Sequence, residues 1–170
     1  MSSKRPFKQV LATAAAATAL VLASPATADA AAASSLSNKS TGQCLAVPGG
    51  SKANGTQVIQ WPCGSTNTND QKWEPEIVGS QIRLKNQHSG KCLAIPQGNS
   101  ANGVVAIQWS CGSGKDQLWD LAPDPFGRYS TVKNAATGKC LGIPSGTTKS
   151  GTKAIQWSCN GAQDQQWAFN

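Results

Sequence analysis

After residue 34 the chain alternates short apolar runs with polar stretches, and its apolar positions never recur at the 3.6-residue spacing of a helix face. Runs such as Cys92-Leu93-Ala94-Ile95 and Val104-Val105-Ala106-Ile107 are flanked by Gly, Asn, Ser and Thr, the residues that bound short strands. Pro48, Pro96 and Pro144 each follow such a run. Proline has no N–H to give to a ladder, so each ends its run. The pattern predicts an all-β fold built of short strands.

The same pattern occurs three times. Cys44, Cys92 and Cys140 lie 48 residues apart, and so do Cys63, Cys111 and Cys159. Asn38, Asn86 and Asn134 open the units, Gly42, Gly90 and Gly138 turn them, and Gln-Trp at 60–61, 108–109 and 156–157 precedes each second cysteine. Each unit closes with Asp-Gln-x-Trp, at Asp70-Gln71-Lys72-Trp73, Asp116-Gln117-Leu118-Trp119 and Asp164-Gln165-Gln166-Trp167. The first copy of that motif falls two residues late because the loop between Cys63 and Gln71 is longer. Self-similarity at this period predicts an array or a closed rotational fold. Three units of about 34–80, 81–126 and 127–170, each of four strands, would close around a threefold axis and leave few open edges.

The cysteines sharpen this picture. Equal units argue for equal bridges, so Cys44 is expected to pair with Cys63, Cys92 with Cys111 and Cys140 with Cys159. Each such loop adds roughly 3 kcal/mol on the chain-entropy model. Zinc is a weak rival, because His88 is the single histidine and the cysteines lack ligand spacing. No metal or cofactor is expected.

The first thirty residues read differently from the rest. A basic start at Lys4, Arg5 and Lys8 runs into the alanine-rich apolar stretch from Val10 to Ala23. Ala26-Thr27-Ala28 and Ala28-Asp29-Ala30 then present small residues at the spacing a signal peptidase needs. Residues 1–30 are therefore expected to be a secretory signal, with no membrane insertion of the mature chain. Removing them takes the net charge from +7 to +5. The remaining lysines are scattered, which argues against nucleic acid and leaves room for weak attraction to acidic polymers.

A cysteine, a short apolar run, an aromatic just before the second cysteine and then Gln-x-Trp, three times over, resembles the ricin B-type lectin family of β-trefoils. The resemblance covers about residues 34–170 and extends to the carbohydrate-binding modules of secreted bacterial glycosidases. It implies a β-trefoil with pseudo-threefold symmetry, with Trp73, Trp119 and Trp167 filling the core. It also implies glycan or polysaccharide ligands held by Trp61, Asp70 and Gln71, by Trp109, Asp116 and Gln117, and by Trp157, Asp164 and Gln165.

The chain departs from the family's pocket in each unit. The family places an aspartate two residues after the first cysteine, where this sequence has Ala46, Ala94 and Gly142. A polar residue, often glutamine, usually stands two before the stacking aromatic, where Ile59, Ile107 and Ile155 stand here. Either the sites no longer bind galactose-like rings, each lost partner costing about 1–3 kcal/mol, or Asp70, Asp116 and Asp164 take over as acceptors beside the tryptophans.

Strand alternation places Ile59 on the side of Trp61 and turns Gln60 the other way. A bulge would bring Gln60, Gln108 and Gln156 to the pocket instead. The indoles of Trp61, Trp109 and Trp157 have a competing role, packing on the disulfides, and the aspartates have one as turn anchors. His88 reads as a surface loop residue.

The resulting expectation is a secreted, non-catalytic lectin with up to three equivalent sites. Threefold repetition supplies no unique nucleophile with a base and no pair of carboxylates across one cleft. The alternative is a protein-binding targeting or adaptor subunit of a secreted assembly, favoured by the Ala, Gly and Ile substitutions that make the pocket rims more apolar.

Overall fold

A computed structural model describes residues 32–64 and 68–170. The expected export signal lies outside the described residues.

Each unit contributes four strands. The first contains β1 (Ser34–Asn38), β2 (Cys44–Ala46), β3 (Ile59–Trp61) and β4 (Lys72–Val78). The second contains β5 (Gln81–Asn86), β6 (Cys92–Ala94), β7 (Ile107–Trp109) and β8 (Trp119–Pro123). The third contains β9 (Ser130–Asn134), β10 (Cys140–Gly142), β11 (Ile155–Trp157) and β12 (Gln166–Phe169).

The outer strands of the units pair antiparallel in the order β1, β4, β5, β8, β9, β12 and back to β1. This six-stranded ring closes on itself, so no barrel edge is left to template another chain. The inner strands form three hairpins, β2 with β3, β6 with β7 and β10 with β11. The fold is an all-β trefoil.

One register explains the hairpins. In each, the first cysteine faces the Gln-Trp tryptophan, as Cys44 with Trp61, Cys92 with Trp109 and Cys140 with Trp157. Disulfides join Cys44 to Cys63, Cys92 to Cys111 and Cys140 to Cys159, tying each hairpin to the loop that follows it.

The core consists of five threefold sets: Leu36, Leu84 and Val132; Leu45, Leu93 and Leu141; Val47, Ile95 and Ile143; Val58, Ala106 and Ala154; and Trp73, Trp119 and Trp167. The three indoles are wholly buried, and each must find an acceptor for its N–H. Trp73 Nε1 donates to the Leu45 carbonyl at 3.0 Å, Trp119 to Leu93 at 3.1 Å and Trp167 to Leu141 at 2.9 Å. At the axis only small side chains fit, because the backbones meet there. Val58 N–H donates to Ala106 O, Ala106 to Ala154 O and Ala154 back to Val58 O, each at 3.0 Å.

Buried amide side chains stitch the units together. Asn86 Nδ2 donates to Asp70 O of the first unit at 2.9 Å, Asn134 to Asp116 O at 2.8 Å and Asn38 to Asp164 O at 2.7 Å. The Oδ1 of each accepts from the turn that follows, as from Ser40, from His88 and Ser89, and from Ala136.

The alternation in the Ile-Gln-Trp strands holds without a bulge. Gln60, Gln108 and Gln156 turn inward and are fully buried. Gln108 Nε2 donates to Ser51 O and Ala53 O of the preceding unit at 2.8 and 3.0 Å. Gln60 reaches Thr147 O and Lys149 O, and Gln156 reaches Asn99 O and Ala101 O. Their Oε1 atoms differ. Ser89 Oγ donates to Gln108 Oε1 and Thr137 Oγ1 to Gln156 Oε1, each at 2.7 Å, whereas Gln60 Oε1 has no partner among the described residues.

This asymmetry yields an expected outcome. Ser89→Ala and Thr137→Ala strand a buried carbonyl oxygen and should each cost about 1–3 kcal/mol. Thr41→Ala, at the corresponding position of the first unit, should cost less. Urea denaturation midpoints at constant m value give the comparison.

Candidate functional site

Three clefts, one per unit, lie beside the Ile-Gln-Trp strands. The first is lined by Ala46, Pro48, Gly49, Ile59, Trp61 and Asp70 and encloses about 220 Å³. The second is lined by Ala94, Pro96, Gln97, Ile107, Trp109 and Asp116, about 350 Å³. The third encloses about 340 Å³ between Gly142, Pro144, Ser145, Ile155, Trp157, Asn160, Asp164 and Gln165.

Local sequence builds each cleft in the same way. The first cysteine strand ends at a proline, which opens a 3-10 turn (Pro48–Gly50, Pro96–Gly98, Pro144–Gly146) that forms one wall. A second 3-10 turn (Asn69–Gln71, Lys115–Gln117, Gln163–Gln165) carries the aspartate on the other wall. Backbone bonds lock the two walls together: Val47 N–H donates to Asp70 O at 3.0 Å, Ile95 to Asp116 O at 3.0 Å and Ile143 to Asp164 O at 3.1 Å.

The turns are thus held through the main-chain carbonyls of the aspartates. Their side chains are left over. Among the described residues nothing donates a hydrogen bond to the carboxylates of Asp70, Asp116 or Asp164, and all three are half-buried on the cleft walls.

The tryptophans stand opposite. Trp61, Trp109 and Trp157 are 49, 46 and 45% exposed, far above the wholly buried Trp73, Trp119 and Trp167, which separates the platform indoles from the core indoles. One edge of each platform ring rests on a glycine of the neighbouring unit. A Cβ added at Gly55 would stand 3.6 Å from Trp109 Cζ3, at Gly103 3.7 Å from Trp157 and at Gly151 3.8 Å from Trp61. Ile59, Ile107 and Ile155 share the platform face and form an apolar floor. Each cleft thus offers an aromatic face, an apolar floor and one carboxylate that no described residue bonds, a set that suits a ring with one apolar face and hydroxyl groups at its edge.

The glutamines of the closing motif bond the protein's own loops. Gln71 is buried, with Nε2 donating to Pro62 O at 3.0 Å and Oε1 accepting from Gly64 N–H at 2.9 Å. Gln117 is buried too and makes the same two bonds, to Ser110 O and Gly112 N–H. Both amides hold the loop after the second cysteine, and neither Gln71 nor Gln117 lines its cleft. Gln165 still lines the third cleft, but its amide is engaged with Ser158 O and Asn160 N–H.

Two cleft residues were missed in the sequence. Gln97 and Ser145 sit at φ +53° in the middle of the proline turns, the position Gly49 fills in the first unit at φ +60°. A non-glycine residue in the left-handed region costs of order 1–3 kcal/mol, and here it places a polar side chain on the cleft wall. The signal was present as a Gly, Gln, Ser series after the three prolines, where one glycine among three marks a turn that favours it. His88 is an exposed loop residue, and it packs on the first cleft's wall turn: a Cβ added at Gly50 would meet its Nε2 at 3.2 Å.

Among the described residues no group of three or more His, Cys, Asp or Glu side chains is arranged to hold a metal ion. No described helix is long and apolar enough to cross a membrane.

A model of the ricin-type beta-trefoil lectin domain matches residues 32–167. No curated protein matches the chain. Among solved structures, a designed threefold-symmetric protein, ThreeFoil, is similar at 28% identity, covering 81% of this chain and 96% of its own, with a TM-score of 0.75. An exo-beta-1,3-galactanase from Clostridium thermocellum is 27% identical with a TM-score of 0.77 over 83% of this chain, which spans only 30% of the galactanase. At 19% identity, a Macrolepiota procera ricin B-like lectin solved with lactose shares the fold, with a TM-score of 0.71 over 85% of this chain and 98% of its own.

The division of the indoles is directly measurable. Iodide should quench the emission of Trp61, Trp109 and Trp157 and spare the other three tryptophans. A Trp61→Ala, Trp109→Ala, Trp157→Ala variant should keep only blue-shifted, unquenched emission and still unfold cooperatively. Trp119→Ala should cost about 3–5 kcal/mol by chemical denaturation, since it empties a core site.

Proposed function

This chain belongs to the ricin-type β-trefoil lectin family, and we propose that it is a secreted, non-catalytic carbohydrate-binding protein whose three clefts engage units of one polymeric or cell-surface glycan. The observation that carries this reading is the threefold pairing of a half-exposed indole with a carboxylate that no described residue bonds. The apolar face of a pyranose stacks on Trp61, Trp109 or Trp157. Hydroxyls at the ring edge donate to Asp70, Asp116 or Asp164, which replace the acceptor absent at Ala46, Ala94 and Gly142.

Single-site affinity is expected to be weak. A millimolar site is worth only about 4 kcal/mol. Three such sites on one rigid trefoil gain by avidity on a repeating ligand, where the second and third contacts become intramolecular.

Each cleft carries one aspartate, and hydrolysis of a glycosidic bond needs two carboxyl groups flanking it. That supports binding without turnover. The basic, then alanine-rich sequence of residues 1–30 and the three disulfides support export to an oxidising compartment, with the lectin domain spanning 34–170.

A glycan-array screen of the oxidised protein lacking residues 1–30, run beside the triple tryptophan variant, tests this reading. Binding by the parent that the variant loses is the expected result. Absence of any glycan binding, together with a protein partner co-purifying in stoichiometric amount from culture supernatant, would replace it with the adaptor role.

A further inference from the structure

The three clefts are alike in the residues their own units supply, but each also borrows one from the unit before it around the axis. Isolated antiparallel bridges join Ile59 to Lys153, Ile107 to Gln57 and Ile155 to Val105. Residues directly opposite in an antiparallel pair project from the same face, with Cβ atoms about 4.5–5.5 Å apart. Ile59, Ile107 and Ile155 line the first, second and third clefts. The first cleft is therefore edged by Lys153, the second by Gln57 and the third by Val105.

The rest of the borrowed loop strengthens the contrast. Residues 149–153 read Lys-Ser-Gly-Thr-Lys, whereas the corresponding segments 53–57 and 101–105 carry no charge. Gly151, between the two lysines, is the glycine on which Trp61 rests. Lys149 and Lys153 are exposed, and neither makes an ion pair among the described residues, where the only ion pairs are those of Arg83 and Lys85 with Glu76. All three clefts share an aspartate, so that carboxylate does not distinguish them. The cation does.

We propose that the first cleft selects saccharides bearing a carboxylate, such as uronic acids, and that Lys153 of the third unit is the residue that sets this preference. The ring stacks on Trp61, its hydroxyls donate to Asp70, and its carboxylate accepts from Lys153 Nζ. The third cleft, edged by an isopropyl group, gives the acid no such advantage, and the second is edged by an amide with Lys115 on its own wall turn. This inference rests on the carbohydrate-binding reading above.

An exposed ion pair of this kind is worth about a two- to fivefold preference, which declines as salt screens it. The test isolates one platform at a time. A Trp109→Ala, Trp157→Ala variant retains only the first cleft, and a Trp61→Ala, Trp109→Ala variant only the third.

Each is titrated with glucuronate, galacturonate and mannuronate oligosaccharides and with their methyl esters, followed by the indole N–H resonance of the remaining platform. The first-cleft variant should bind at least one acid two- to fivefold tighter than its ester at low salt. Adding Lys153→Gln, the residue the first unit carries at this position, should bring the two to parity without weakening the ester. Val105→Lys should create an acid preference in the third-cleft variant.

Parity in the first-cleft variant, or a preference that survives Lys153→Gln, would overturn the inference. So would failure of the first cleft alone to bind when the parent protein binds. If the parent binds none of these sugars and none on a broad glycan array, the carbohydrate-binding reading itself fails, and this inference with it.

Discussion

Around the threefold axis each unit gives one backbone N–H to the next, from Val58 to Ala106 to Ala154 and back to Val58, and the molecule is organised by the need to close that ring. A donor buried at the axis has no water to turn to, so an incomplete ring would leave a polar group unpaired at a cost of about 1–3 kcal/mol. Three backbones meet this closely only if their side chains are small, which is why two of the three positions are alanine. The buried glutamines extend the same requirement outward, since Gln60, Gln108 and Gln156 each donate to two carbonyls of the neighbouring unit. No unit satisfies all of its interior polar groups by itself. The three must close together.

The clefts follow from that closure. A platform tryptophan is held by the hairpin of its own unit but rests on a glycine of the neighbour. The turn bearing each aspartate is bonded by an asparagine of the following unit. The indoles are thus positioned from two units at once, while they remain about half exposed. The same arrangement lets a substitution in one unit alter the surroundings of another unit's cleft.

The seam between the third and first units shows how closely the partners are matched. At the other two seams, Asn54 Oδ1 accepts from Ser110 N–H and Oγ, and Asn102 Oδ1 from Ser158 N–H and Oγ. In the first unit the serine is Pro62, which has no N–H, and the facing asparagine is replaced by Ser150. Ser150 Oγ instead donates to Gln43 Oε1, and Gln43 Nε2 donates to Thr148 O. Gln43 stands where the other units have Lys91 and Lys139, whose ammonium groups reach Ser110 and Ser158. Gln43, Pro62 and Ser150 all differ from their counterparts in the other units, and all three lie at the seam where the last unit meets the first.

Much of this protein is determined by sequence alone, because its determinants are local and repeated. The 48-residue period, the proline that ends each first hairpin strand, the cysteine spacing and the Gln-x-Trp core indoles each report on a single unit, and three copies make the report unambiguous. Alternation along Ile59-Gln60-Trp61 also foretold which side chains share a face, although only the buried partners of Gln60, Gln108 and Gln156 settled that no bulge intervenes.

What the tertiary structure decided lies between units. The amides of Gln71 and Gln117, which the family resemblance places with the ligand, are bonded to the loop behind the disulfide. Lys153, Gln57 and Val105 are brought opposite Ile59, Ile107 and Ile155 by cross-unit bridges that no spacing encodes. The physical reason is that a side chain's neighbours across a seam are set by closure of the whole ring, and a repeat read one unit at a time contains no record of what faces it.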